Sequence, residues 1–379
     1  MKTHIPALDG LRALAALMVM WFHFFQNPLN IPEGAIGELI GKVNNLGQTG
    51  VDLFFVLSGF LITRILLRDK SKPYYFRNFY IKRSLRIFPL YYFFLLFALF
   101  VNPLLLGRSI PQFSDYWWWF AYLQNVPFTF DGSLVGADRY CADTIGHYWS
   151  LAIEEHFYMV WPLLVFVLRH RGLMVASVSM VVLSFALRFF LESNGWESFY
   201  FTLTRLDALS MGTILALVEP ALRSRAEIVR KVLPVAMVAL SLPLVVAFAM
   251  FSGDSVFVVQ LVKFPLIAAF YCLLMAYIVI SPDHSRTARI FSNRVGLYLG
   301  GISYGLYVYH GTCFRWFDRI FPDAPTFISL PCAFAFAIIV AHLSFKLFEA
   351  PIMRLKKRFV KDGSNQSPQV AGASAVPQV

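Results

Sequence analysis

The sequence predicts an all-α polytopic membrane protein with about ten transmembrane helices and both termini in the cytoplasm. Three observations carry this. Of its 379 residues, 58% are hydrophobic and 17% aromatic. Only 15% are charged, where an ordinary soluble domain carries about 25%. The apolar residues also come in runs close to the ~20 that cross a bilayer as a helix. Such a composition excludes a disordered chain, a soluble globular enzyme and a disulfide-stapled scaffold.

Ten runs qualify as spans: residues 10–28, 48–67, 87–106, 147–168, 173–191, 203–219, 232–251, 259–281, 295–316 and 326–348. The segment 115–127 is too short and too rich in tryptophan to cross, and it reads as an interfacial piece. Ten spans put both termini on one side. With that side cytoplasmic, 23 Lys and Arg residues fall in inner segments and four (Lys42, Arg108, Arg139, Arg319) in outer ones. This asymmetry sets the orientation. It also accounts for the net charge of +11 without a nucleic-acid partner.

The first apolar run is too long for a cleavable leader and reads as a retained anchor. Residues 1–351 form the transmembrane domain, and 352–379 a basic, then polar and disordered, cytoplasmic tail. There is no second domain, and no internal repeat suggests a transporter built from two halves. Cys141, Cys272, Cys313 and Cys332 form no CxxC pair and have no metal-ligand spacing. Cys313 and Cys332 flank a short outer loop. They read as small apolar residues, with a disulfide between them as the alternative.

Ionisable groups at membrane depth are costly, so each is a candidate for function. In the first span Arg12 and His23 are eleven residues apart. That is close to three helical turns, so they share a face and stand about 16 Å apart along the axis. Asp52 opens the second span, which runs the other way, and this puts it at the depth of His23. A carboxylate on one imidazole nitrogen would orient the ring and leave the other nitrogen as a base for an attacking hydroxyl. The alternative is a His–Asp hydrogen bond that merely joins two helices.

His147, Glu154, Asp207 and His310 map to the same outer half, and together these groups suggest a polar cavity open to the outside. His147 and Glu154 are seven apart and share a face. Glu155 points about 100° away, toward headgroups or a neighbouring helix. Arg205 and Asp207 diverge by about 200°, so they do not both face one cavity. For His147 and His310 a merely wet helix end explains the residue as well. On the inner side, Arg83 and Arg86 at i and i+3 form one cationic edge at a depth comparable to Arg12. Three guanidinium groups suit a phosphate-bearing ligand. Walker A, GxGxxG and HExxH motifs are absent from the sequence. Ser58 lacks a GxSxG elbow and reads as a small packing residue beside Gly59. Two functions fit these residues. One is a group-transfer enzyme that takes a phosphorylated donor from inside and serves an acceptor outside. The other is a proton-coupled transporter; a pure scaffold fits poorly.

Six ordered stretches then carry a family resemblance. They are Ile5-Pro-Ala-Leu-Asp9-Gly10-Leu-Arg12 with His23 eleven residues beyond Arg12, Gly50-Val-Asp52-Leu-Phe-Phe-Val-Leu-Ser58-Gly59, and Arg83-x-x-Arg86 with Pro89. The others are Trp149-Ser-Leu-Ala-Ile-Glu154-Glu155-His156-Phe-Tyr158, Arg205-Leu-Asp207 with Gly212, and Ser303-Tyr304-Gly-Leu-Tyr307-Val-Tyr-His310. From about residue 5 to Pro351 the chain resembles the acyltransferase 3 family of integral membrane O-acyltransferases. His156, where the family usually has Gln, is the visible departure.

The resemblance implies transfer of an acyl group, most often acetyl, from cytoplasmic acyl-coenzyme A to a hydroxyl of an extracytoplasmic carbohydrate. Acetyl-coenzyme A would be a donor substrate, with no permanently bound cofactor and no metal. It implies His23 as base or acyl relay with Asp52 as its partner, and Glu154 shaping the acceptor site or supporting proton transfer. It implies Arg12, Arg83 and Arg86 holding the coenzyme A phosphates or the acyl carbonyl. His147, Tyr158, Asp207 and His310 are the acceptor-side candidates. Some relatives carry a further periplasmic hydrolase-like domain, for which about 30 residues after Pro351 leave no room. A compact chain without added luminal domains points to a bacterial inner membrane.

Overall fold

The computed structural model describes residues 4–130, 144–250 and 256–360. Cys141, Arg139 and the tail beyond residue 360 lie outside them. All regular structure among the described residues is helical. The principal helices are α1 (Pro6–Phe24), α2 (Ala35–Gln48), α3 (Gly50–Asp69), α4 (Tyr75–Leu96), α5 (Phe113–Phe120), α6 (Asn125–Phe130), α7 (Trp149–Val167) and α8 (His170–Ser193). They continue with α9 (Leu206–Ser224), α10 (Ala226–Met250), α11 (Val256–Ile280), α12 (Arg286–Phe291), α13 (Arg294–Gly301), α14 (Ser303–Ile320) and α15 (Thr326–Ser344). Eight helical stretches among the described residues are long and apolar enough to cross a membrane. The other two expected spans are also helical, but α9 carries Glu219 and Arg223, and α14 carries Arg315, Asp318 and Arg319. Of these charged groups only Glu219 is fully buried; Arg319 is exposed.

The starts of two spans move furthest. The third span begins at Tyr75 rather than at residue 87. The second span begins at Ala35 rather than at residue 48, because α2 and α3 form one 35-residue helix. At 1.5 Å per residue this is about 52 Å, well beyond the ~30 Å hydrocarbon core. The extra turns pack along the His23 end of α1. A Cβ on Gly47 would lie 2.6 Å from the Met18 carbonyl, and one on Gly50 2.6 Å from that of Ala15. The opposite stripe of α2 (Ile36, Leu39, Val43, Leu46) is exposed. The tryptophan-rich segment docks on α4. Tyr91 and Tyr92 donate to the carbonyls of Trp119 and Phe120, and Trp119 and Tyr122 are buried. Trp117 and Trp118 stay half-exposed and stack at 3.9 Å.

The interior is built around α1, α3, α9 and α14, while most of α8, α10 and α15 stays exposed. α3 and α9 run parallel in the tightest helix pair. A Cβ on Gly59 would fall 1.9 Å from the Leu209 carbonyl oxygen, and one on Gly212 2.1 Å from that of Val56. Gly59→Ala should therefore separate the pair and cost about 3 kcal/mol by overpacking. Thermal unfolding of the purified protein checks this; an unchanged midpoint would mean that the contact is slack. Cys272, Cys313 and Cys332 are free thiols, so Cys313 and Cys332 do not pair.

Candidate active site

Three histidines from separate stretches of chain meet at one end of the bundle. α1 supplies His23 in its last turn, α14 supplies His310, and a 3-10 turn before α7 (Gly146–Tyr148) supplies His147. Their ring centroids are 4.9 Å (His23 to His310), 4.8 Å (His147 to His310) and 5.7 Å (His23 to His147) apart. The hydrogen bonds fix the tautomers of the neutral rings. Carbonyl oxygens only accept, so His310 Nδ1–H donates to Leu306 at 3.0 Å and His23 Nδ1–H faces the Val19 carbonyl at 3.0 Å. His310 Nε2 is then a lone pair, 3.0 Å from His23 Nδ1, and accepts from the same proton. His23 is left with Nε2 as its basic nitrogen, the arrangement a general base requires.

His23 and His147 line a cavity of about 810 Å³. Gln26, Asn27, Glu197, Arg315 and Asp318 give this chamber polar walls, and Trp149, Tyr200 and Phe314 give it aromatic ones. Asn27 Nδ2 donates to Asp318 at 2.9 Å. Burial pushes the carboxyl of Glu197, in the loop before α9, above its usual range. Amides, carboxylates and aromatic faces together suit a ligand rich in hydroxyls.

The predicted arginines also meet. Arg12, Arg83 and Arg86 line a second cavity of about 150 Å³, shared with Ser58, Glu154, Glu155 and Tyr304. Its lining also has an apolar part, with Phe54, Leu61, Ile62 and Leu151. Arg12 pairs with Asp9 at 2.9 Å. Arg83 stands 3.6 Å from Glu154, 3.8 Å from Glu155 and 3.6 Å over the ring of Tyr158. Arg83 and Arg86 also line a third cavity, of about 270 Å³, with Lys72, Asn78 and Lys82. Cationic side chains thus continue from the buried chamber out to the loop between α3 and α4.

Several expected partners lie elsewhere. Asp52 does not pair with His23; it accepts from Arg205 at 2.6 Å, and both are buried. The reason is helical phase. Asp52, Val56, Gly59 and Thr63 form one stripe of α3, and that stripe packs on α9, whereas Val51 is the residue that faces the histidine chamber. The stripe was readable from the small residue Gly59 seven positions after Asp52. Asp207 is likewise absent from the chamber wall and accepts from Arg188 at 2.8 Å. Arg188, on α8, carried no sequence signal beyond being an ionisable group in a span. Arg205 is enclosed by aromatic faces, 4.6 Å from Phe264 and 5.0 Å from Phe199.

Glu154 lines the arginine chamber and not the histidine chamber; Tyr158 lines neither, but its ring packs under the Arg83 guanidinium and its hydroxyl bonds that of Ser58. Glu155 lines that chamber too, because Arg83 reaches both carboxylates. His156 bonds Thr202 at 2.8 Å and is not at either chamber's wall. His310 lies behind His23 and is fully buried.

Fold and site together define a polytopic helical membrane protein with a histidine chamber and an arginine chamber set back to back. Residues 5–345 match the acyltransferase 3 family, described as an acyltransferase domain, and the chain belongs to that family. It is 30% identical to the peptidoglycan O-acetyltransferase OatA of Listeria monocytogenes, over 93% of this chain and 56% of that protein. It is 26% identical to the O-acetyltransferase OatA of Staphylococcus aureus strain NCTC 8325, over 93% of this chain and 57% of that protein. The chain thus spans less than three-fifths of the length of these two relatives. No solved structure matches it.

Proposed function

We propose that the chain is a membrane-bound O-acyltransferase. It moves an acyl group, most often acetyl, from cytoplasmic acyl-coenzyme A to a hydroxyl of a carbohydrate outside the membrane. The observation that carries this reading is the opposition of the two chambers. One presents guanidinium groups beside an apolar wall, which suits a phosphorylated donor with a long apolar arm. The other presents a tautomerically fixed imidazole among amides and aromatic rings. In this reading all ten long helical segments cross a bacterial inner membrane, with both termini and the arginine end cytoplasmic.

His23 Nε2 takes the proton of the sugar hydroxyl as its oxygen attacks the thioester carbonyl. The new C–O bond forms and the C–S bond breaks. The departing thiolate recovers the proton from the His23 imidazolium and leaves as free coenzyme A thiol. The names of the relatives make peptidoglycan one acceptor to test first.

Cells with and without the protein should differ in alkali-labile acetyl esters on a surface glycan, read by mass spectrometry. No difference in any glycan, with the protein present in the membrane, would overturn the reading. Arg86 carries no ion pair among the described residues. Arg86→Gln should raise KM for acetyl-coenzyme A about tenfold, the loss of one charge-assisted hydrogen bond. Steady-state kinetics check this, and an effect confined to kcat would remove Arg86 from donor binding.

A further inference from the structure

Val51 and Tyr307 line both chambers, one face toward the arginines and the other toward the histidines. The partition is braced. The Tyr307 hydroxyl donates to the His147 carbonyl at 2.8 Å and bonds Ser150, whose own hydroxyl also reaches that carbonyl. Phe54 packs edge-on against the Tyr307 ring at 6.0 Å. The ring stands 5.4 Å from that of His147. An acyl group carried from the arginine side must therefore pass Val51 and Tyr307 to meet His23.

From this geometry we infer that Val51 and Tyr307 form the gauge that sets which acyl chains are transferred. The inference rests on the acyltransferase reading above. Tyr307 is held to the turn that carries His147, so its ring is a stiff wall rather than a free rotor. A short acyl group leaves the carbonyl carbon beside the partition with its methyl group accommodated. A longer chain must push Val51 and the ring apart, and interiors resist such overpacking. Tyr307 and Val51 act here as specificity-determining residues; neither receives or gives a proton.

The test uses membranes containing the full chain and its natural glycan, with acetyl-, butyryl- and hexanoyl-coenzyme A as probes. Free thiol release and ester formation are both measured. The wild type should favour acetyl over hexanoyl by a hundredfold or more, since each methylene that does not fit costs about tenfold. Val51→Ala and, separately, Tyr307→Leu should raise the hexanoyl-to-acetyl ratio of kcat/KM at least about tenfold. Two variants on different helices guard against one that fails to fold. A ratio unchanged in both, with acetyl transfer still measurable, overturns the gauge and leaves the acyltransferase reading standing. So does a wild type that transfers hexanoyl as fast as acetyl. Absence of transfer from every donor by the wild type overturns the parent reading itself.

Discussion

His23→Ala is expected to lower acyl transfer by about a thousandfold, the range spanned by loss of a positioned general base, while leaving the protein folded. His23 is half-buried at the wall of a large chamber, so the truncation opens space into a cavity instead of the core. Its partners survive the change, because His310 keeps its bond to Leu306. His310→Phe should be milder. It removes the lone pair that shares the His23 Nδ1 proton at 3.0 Å but leaves the Val19 carbonyl to hold the same tautomer. Transfer rates and thermal midpoints measured together on both variants decide the point. His23→Ala with full activity would end the mechanism. His310→Phe falling as far as His23→Ala would instead make the second imidazole an obligate member of the proton path.

Asp52→Asn is expected to fail mainly in folding. Asp52 and Arg205 are both almost fully buried, and their bond is 2.6 Å. Removing one charge of a buried pair leaves the other without compensation, at a cost of about 3–5 kcal/mol. Arg205 has nowhere to go, since Phe55, Phe199 and Phe264 surround its guanidinium. Removing both charges should restore much of the loss, because an apolar pair of similar volume suits such a site. The unfolding midpoint of Asp52→Asn should therefore drop, and that of Asp52→Leu with Arg205→Met should recover. If Asp52→Asn kept its midpoint and lost transfer, Asp52 would belong to the chemistry despite its position.

The sequence and the structure part company over which groups face each other. Depth was legible for Arg12 with Arg83 and Arg86, which share one chamber, and for His23 with His147 and His310, which share another site. Depth failed for Glu154. Counting turns from the start of α7 groups it with the histidines, yet it lines the arginine chamber beside Arg83. Asp52 failed for another reason. Its depth was right, but a rotation of 100° about the helix axis separates it from Val51, and the Gly59–Gly212 contact with α9 sets that rotation.

By itself, the sequence determined the membrane-bound helical architecture, the family and the set of ionisable residues to watch. These depend on composition, on runs of about 20 apolar residues and on ordered motifs, all local properties of the chain. Only the tertiary structure decided the pairings: Asp52 with Arg205, Asp207 with Arg188, Arg83 between two glutamates, and three histidines in one cluster. Pairing depends on the azimuth of each helix about its own axis. That angle is set by close contacts of small residues with neighbouring helices far along the chain, as where Gly59 meets Leu209. One residue of helical phase is enough to carry a carboxylate from the histidine chamber into the wall that holds it up.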